Sequence, residues 1–374
     1  MGNQTMSLDK LSTQIGALFA YLVGSGFATG QETVQFFSVW GSIWDSLLVG
    51  AISFFMMYLT YSAYAYAGRT RHLCDLKSIS RFYTGSLIGK LFELFAWIFN
   101  ACAYVFMVSG FGSVLLQQWG IPLFIGSAIA VVLSVITAIA GLNNLIKIIS
   151  KLGPLLIVLT LCIGVISASE FYPLINQGNR AVINGDVSVV RAGTNAISAG
   201  LSYGGACVLL VSAMVGRMGS QLRSYRFYYT KMTIAVVALG LPMINIIMGL
   251  NHIGNIEQAS HAQIPNLLLA NHIFGAIGDF YAIIILVAIY STLCPIIWTC
   301  VSMHIPNEKC TRYKLTCIFS GIGVYFITLF IPYQTLLHYV MTYCGSAGAL
   351  VCIVIVSRYL IVKAKDNNGH SHSL

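Results

Sequence analysis

The chain reads as long apolar runs separated by short polar stretches. About twenty apolar residues cross a bilayer as a helix, and ten such runs can be marked along the sequence. They cover roughly 12–40, 43–66, 91–118, 122–140, 145–167, 193–215, 231–250, 274–301, 315–332 and 335–362, and are called spans 1 to 10 below. Spans 1 and 6 carry glycine clusters near their middle. Span 1 reads Gly24-Ser25-Gly26-Phe27-Ala28-Thr29-Gly30-Gln31-Glu32, and span 6 reads Ala199-Gly200-Leu201-Ser202-Tyr203-Gly204-Gly205-Ala206. Each glycine weakens a helix by about 1 kcal/mol relative to alanine. In hydrocarbon an unpaired backbone group is costly, so an interruption persists only where it lines a cavity or is buried in protein. The pattern predicts broken helices in spans 1 and 6.

Composition fixes the class. Of 374 residues, 57% are hydrophobic and 8% charged, with mean hydropathy +0.81; a soluble domain carries about 25% charged residues. The fold class expected is an all-α integral membrane protein with ten transmembrane helices. Span 1 lacks a basic leader and a small-residue cleavage site, so it is expected to be retained. The start of the chain misses the myristoylation pattern, with Met6 where Ser or Thr is required. The net charge of +9 does not point to nucleic acid, because the basic residues lie in short loops between apolar runs. With the N-terminus inside, eighteen of the twenty Lys and Arg residues fall on the cytoplasmic side, and only Arg180 and Arg191 fall outside. That bias follows the positive-inside rule. The expectation is a multi-pass protein of the cell inner (plasma) membrane with both termini cytoplasmic. Cys102, Cys162, Cys207, Cys294, Cys317 and Cys352 lie in apolar runs, Cys74 and Cys310 in inside loops, and no CxxC pair occurs, so no disulfide framework is expected.

Ten spans divide into five and five, and an odd number per half inverts one half relative to the other. The boundaries expected are a tail (1–11), a first five-helix repeat (12–168), an outside connection (169–192), a second, inverted repeat (193–362) and a tail (363–374). The links 67–90 and 251–273 are counterparts under this inversion, the first inside and the second outside. Glycine in a membrane helix also serves close packing. Interruptions at matching positions of two halves, however, are the best sequence pointer to a transporter site. A dinucleotide loop is excluded, because Gly24, Gly26 and Gly30 give GxGxxxG inside an apolar helix with no preceding strand.

The run from Val23 through Phe37, Val-Gly-Ser-Gly-Phe-Ala-Thr-Gly-Gln-Glu-Thr-Val-Gln-Phe-Phe, resembles the signature of the YkvI family of bacterial membrane proteins, which stand near the amino acid–polyamine–organocation superfamily. The resemblance implies a permease with the five-plus-five inverted repeat of the bacterial leucine transporter, in which helices 1 and 6 unwind at the substrate. For sodium-coupled members it implies an ion held by carbonyls of Ala20 and Val23 on span 1, the carbonyl of Ala288 and the hydroxyls of Ser291 and Thr292 on span 8. The rival implied by other members is a proton-coupling lysine from span 5, here Lys151, which as an interface lysine would merely snorkel. The resemblance also implies a mid-membrane tyrosine on span 3, here Tyr104, touching the substrate and gating the outside.

Free N–H groups between Gly26 and Gly30 suit an anionic group. Free carbonyls at the end of the inner half of span 1 and around Ser202–Gly205 suit an ammonium. The candidate substrate site is therefore Gly24, Ser25, Gly26, Ala28, Glu32, Tyr104, Ser202, Tyr203 and Gly204. An ionisable residue inside a membrane helix is a functional hypothesis by default. Glu32 binds an amine, carries a coupled proton, or caps free N–H groups. Glu93 and Asp279 are expected near water; His252, His261 and His272 are expected as solvated loop residues, and His370 and His372 as frayed tail.

The function expected is a secondary active symporter for a small amine-bearing solute, an amino acid or relative, driven by sodium or protons. The alternative is an amino-acid-binding sensor of the spore-germination type. No nucleophile–base pair, metal cluster or carboxylate dyad suggests an enzyme. No cofactor is expected beyond a coupling Na+ or H+, and the partners expected are the solute and the lipid bilayer.

Overall fold

The computed structural model describes residues 4–140, 143–275, 277–305 and 307–371; the side chains of Ser25, Ala213, Phe274 and Ile277, and of residues 143–154 and 367–371, lie outside the description. Among the described residues the regular elements are all helices, with one isolated bridge between Gln4 and Tyr225. Among the described residues eight helices are long and apolar enough to cross a membrane, and a bent pair within 196–221 adds a ninth. Span 1 is the tenth, divided into Leu8–Leu22, Ser25–Thr29 and a wide π-helical turn over Thr33–Ser38.

The remaining spans lie where the apolar pattern puts them, with longer ends. Span 2 is Ile43–Arg71, span 4 Leu123–Ala140, span 5 Asn143–Phe171, span 7 Phe227–Gly254, span 8 Ile277–Ser302 and span 9 Thr311–Phe330. Arg69 and Arg71 fall in the last turn of span 2, where cations favour the negative end of a helix and let it run past the apolar run. Span 10 begins at Tyr333–Tyr339, widens over Val340–Cys344 and continues as Gly345–Ser371.

Each repeat has a helical link at the matching place. Residues 76–84 form a helix capped by the Asp75 carboxylate, which accepts from the Ser78 amide at 2.8 Å. It turns into span 3 at Gly85, whose φ of +82° suits glycine. In the other half, Ile256–His261 and Pro265–Phe274 lie between spans 7 and 8. The packing repeats as well. Span 1 lies against spans 5, 7 and 8, and span 6 lies against spans 10, 2 and 3. These sets exchange when spans 1–5 are mapped onto 6–10.

Span 6 corrects one expectation. It is Ala196–Gln221, helical throughout its glycine cluster, and it bends by 56° farther on, between Ser212 and Met214. A Cβ on Gly205 would stand 2.1 Å from the Gly345 carbonyl oxygen, and one on Gly345 would stand 2.1 Å from that of Ser202. Gly204 abuts Met56 and Gly200 abuts Ile52. The cluster is a close-packed seam against spans 2 and 10, and its carbonyls stay within the helix.

Large apolar side chains face outward on spans 2, 4 and 9, among them Phe55, Ile136, Phe319 and Phe326. Apolar surface of this extent needs lipid rather than water. The protein is a multi-pass membrane protein.

Candidate functional site

The interruption of span 1 starts where Gly24 takes an extended backbone, φ −81° and ψ −168°. Its amide donates to the Leu22 carbonyl at 2.9 Å. In a continuous helix that amide would serve Ala20, four residues back, so the Ala20 carbonyl loses its helical donor. Val23 likewise turns its carbonyl out of the helix, where it accepts from the Thr292 hydroxyl at 3.3 Å. The same hydroxyl lies 3.3 Å from the Ala288 carbonyl, and Ser291 Oγ donates to that carbonyl at 2.7 Å. The oxygens of Val23, Ala288, Ser291 and Thr292 thus meet between spans 1 and 8, with buried Ala20 one turn below Val23. These four are hard, neutral oxygens, the chemistry a sodium ion takes, and the Ala20 carbonyl is the fifth candidate by its freed backbone. On ion binding the two hydroxyls would turn their lone pairs inward. Lys151, the proton-coupling candidate, lies outside the described side chains.

Span 1 breaks a second time. Ser25–Thr29 is one short turn, closed by Gly30 in the left-handed region at φ +88°. This corrects the picture of a long outer half-helix beginning at Gly26. Glu32 follows within the next turn and is buried. Its side chain folds back onto Gly26, so that a Cβ there would stand 2.0 Å from Glu32 Oε1. Gly26 is therefore a place where the acid comes to rest. The Tyr203 hydroxyl lies beside the Glu32 carboxyl. Behind it Asn245 Nδ2 donates to Tyr203 at 2.9 Å, and Thr33 Oγ1 donates to Asn245 Oδ1 at 2.6 Å. The rings of Phe36 and Phe37 stand 5.3 and 5.2 Å from that of Tyr203 and close the network. The ion pairs among the described residues are Arg71–Asp366, Arg81–Glu93 and His272–Glu170, and none includes Glu32.

Other candidates sort plainly. Gly24 lies in the break, with Met107 and Thr292 next to the position of a Cβ. The Ser25 side chain is outside the description, and Ala28 is buried. Tyr203 reaches the centre from span 6. Its neighbours do not: the Ser202 hydroxyl donates back to the Ala199 carbonyl, and Gly204 faces span 2. Tyr104 is also a correction, since its hydroxyl pairs with Ser134 Oγ of span 4 at 2.8 Å and points into the scaffold. The residue that span 3 turns toward the break is Met107.

The link between spans 7 and 8 folds onto the break. Asn266 Nδ2 donates to the carbonyls of Phe27 and Ala28 at 3.1 and 3.2 Å, capping the turn before Gly30. A Cβ on Gly30 would meet Asn266 Oδ1 at 2.4 Å. That oxygen pairs with His252 Nε2 at 2.9 Å. Carbonyl oxygen only accepts, so His252 carries its proton on Nε2. His252 is fully buried, which corrects the expectation of a solvated loop histidine. Glutamines fasten the rest of the link. Gln31 and Gln334 donate to the Ala262 carbonyl at 2.6 and 2.7 Å, and Gln117 brackets Ile264 through both its amide and its carbonyl. Thr29 pairs with Tyr333 of span 10 at 2.9 Å. The polar residues Gln31, Gln117 and Asn245 inside apolar runs were the available sequence signal; Asn266 carried none.

No protein-family model matches the chain. In sequence it is similar to YkvI, an uncharacterized membrane protein of Bacillus subtilis (strain 168), with 26% identity over 142 residues, or 38% of this chain and 40% of that relative. Its structure is similar to that of MhsT in complex with L-phenylalanine, with TM-score 0.66 and 14% identity, covering 95% of this chain and 89% of that one. MHP1, a nucleobase-cation-symport-1 family transporter in a closed conformation with bromovinylhydantoin bound, gives TM-score 0.57 and 18% identity over 95% of this chain and 79% of its own. A mutant of the Eremococcus coleocola manganese transporter gives TM-score 0.57 and 16% identity over 97% of this chain and 89% of its own. The chain has the ten-span inverted-repeat fold of the leucine-transporter kind and resembles the YkvI membrane protein in sequence.

Proposed function

We propose that the protein is a secondary active transporter, a symporter for a small amine-bearing solute, working by alternating access. The observation that carries this reading is the double interruption of span 1, which sets the Val23 carbonyl oxygen against span 8 and folds a buried carboxyl, that of Glu32, over Gly26. Released backbone groups at mid-membrane are what solutes and coupling ions use. The neighbours support transport: one holds L-phenylalanine, one is named for cation symport, one for manganese. L-Phenylalanine in MhsT is the support for amino acids as a starting point.

Sodium is the coupling ion that the donor set favours. Ala20, Val23, Ala288, Ser291 and Thr292 would hold it, and the ion would supply the fixed positive charge that draws spans 1 and 8 together. Thr292→Val keeps the shape and removes one ligand. Two assays of purified protein in proteoliposomes test the reading: counterflow of labelled amino acids and amines, in sodium and in potassium, and the sodium-induced rise in the thermal midpoint. Sodium-dependent counterflow is expected, with both it and the sodium-induced rise lost in Thr292→Val. A midpoint that sodium raises equally in the variant rejects this ion site. Saturable binding without counterflow would instead indicate a sensor.

A further inference from the structure

We infer that an anionic phospholipid binds between spans 3, 8 and 9, with one acyl chain in a cavity there and its headgroup among the basic residues below. The inference goes beyond the transport reading and stands without it. A cavity of about 330 Å³ lies at the ends of these spans that loop charge places inside. Its wall follows one stripe of each helix: Trp97, Ala101 and Tyr104 on span 3, Ile297 and Val301 on span 8, and Thr316, Ser320 and Val324 on span 9. Spacings of three and four keep such residues on one helical face. Ser320 is exposed, as are Phe319 and Ile322 beside it and Ile98 on span 3. The cavity therefore opens toward lipid.

Polar groups of the wall are already used. Trp97 Nε1 donates to the Cys300 carbonyl at 3.0 Å, Tyr104 pairs with Ser134, and Thr316 Oγ1 donates to the Arg312 carbonyl at 2.8 Å. Water there would find few partners, whereas a hydrocarbon chain fills such a slot by dispersion contact. The same stripes turn basic toward the inside. Arg312 stands one turn below Thr316 and Lys90 two turns below Trp97, while Lys309 lies on the link that follows span 8, and all three are exposed. The acids of this rim are engaged. Glu93 pairs with Arg81 at 3.2 Å, and Glu308 accepts from Trp298 Nε1 at 2.9 Å. All eleven Asp and Glu side chains of the chain are described, and none forms an ion pair with Lys90, Lys309 or Arg312. Cations beneath an apolar slot match a molecule with negative charge on its head and hydrocarbon above it. Basic residues beside a membrane-spanning helix attract such lipids. A zwitterionic headgroup brings no net charge to these cations, and a free phosphate leaves the slot unfilled.

Binding is read on purified full-length protein in mixed micelles, by thermal midpoint and by native mass spectrometry. The probes are phosphatidylglycerol, phosphatidylcholine and diacylglycerol with identical chains, and glycerol 3-phosphate. Phosphatidylglycerol is expected to raise the midpoint saturably, with one molecule retained per protein and half-saturation at least about tenfold below that of phosphatidylcholine. Lys309→Gln combined with Arg312→Gln is expected to cut that preference below about threefold. Ala101→Trp fills the slot and is expected to lose both the retained lipid and the rise. Should it fail to fold, Ser320→Phe fills the same slot from an exposed position on span 9 and is read in the same way. A response to phosphatidylglycerol that phosphatidylcholine, diacylglycerol or glycerol 3-phosphate matches overturns the inference. So does a rise that persists unchanged in the slot-filling variant, since surface charge alone would then account for it.

Discussion

Asn266 uses its whole carboxamide at one point. Its nitrogen holds two span 1 carbonyls and its oxygen takes the His252 proton. Removing it takes that donor from the buried Ala28 carbonyl, at about 1–3 kcal/mol, while the Phe27 carbonyl keeps the Gly30 amide at 3.1 Å. Asn266→Ala is expected to lower the thermal midpoint and speed amide exchange across residues 255–275; unchanged exchange there would mean that the link is held elsewhere. Asn266→Asp should be worse than a neutral loss, since a carboxylate presents only acceptors to those carbonyls. At this scale the sequence was legible where chemistry is rare. Glu32 stood out as a lone acid in an apolar run, and Tyr203 as a phenol beside glycines. Tyr104 misled because a tyrosine at mid-helix says nothing about which neighbour it faces. Met107, less than one turn away, faces the break. Asn266 and His252 were illegible because their roles exist only once the link folds back over span 1.

Among elements, spans 1 and 6 show that one compositional signal serves two ends. Both hold closely spaced glycines. In span 1 the backbone leaves the helix at Val23–Gly24 and again at Gly30. In span 6 the same residue type removes side chains so that two helices approach backbone to backbone. The difference lies in the partner surfaces, which spacing alone does not encode. The seam makes a prediction of its own. A methyl on Gly205 meets the Gly345 carbonyl oxygen and the Ala349 amide nitrogen, neither of which can swing aside as a side chain tip would. Gly205→Ala is expected to cost about 1–3 kcal/mol, read as a lower midpoint in detergent, with Gly323→Ala as a neutral control because nothing lies within 4 Å of its Cβ position. Equal midpoints for the two variants would dismiss the seam.

For the whole molecule, apolar periodicity and loop charge supplied the number of spans and their grouping. The helical links after spans 2 and 7 fit the inversion that this grouping requires. Span ends were less legible, since basic residues at helix C-termini extend helices beyond the apolar run. Orientation is testable directly. A green fluorescent protein fused to the C-terminus is expected to fluoresce, as it does when folded in the cytoplasm, and an alkaline phosphatase inserted after Gln263 is expected to be active; the opposite pair of results would invert the protein. The end that charge places inside is also fastened. Gln4 bridges Ser224 and Arg226 through its main chain, and Lys10 Nζ donates to Tyr225 at 2.8 Å.

The fastenings over the span 1 break are carboxamides and carbonyls, from Asn266, Gln31, Gln117 and Gln334. Exposed charge pairs such as Arg71–Asp366 loosen as dissolved ions screen them; uncharged amide bonds carry no such sensitivity. Lifting the link away from span 1 is therefore expected to cost about the same across a wide range of potassium chloride concentration, so that any response to sodium chloride beyond it would report the ion site proposed between spans 1 and 8 rather than screening.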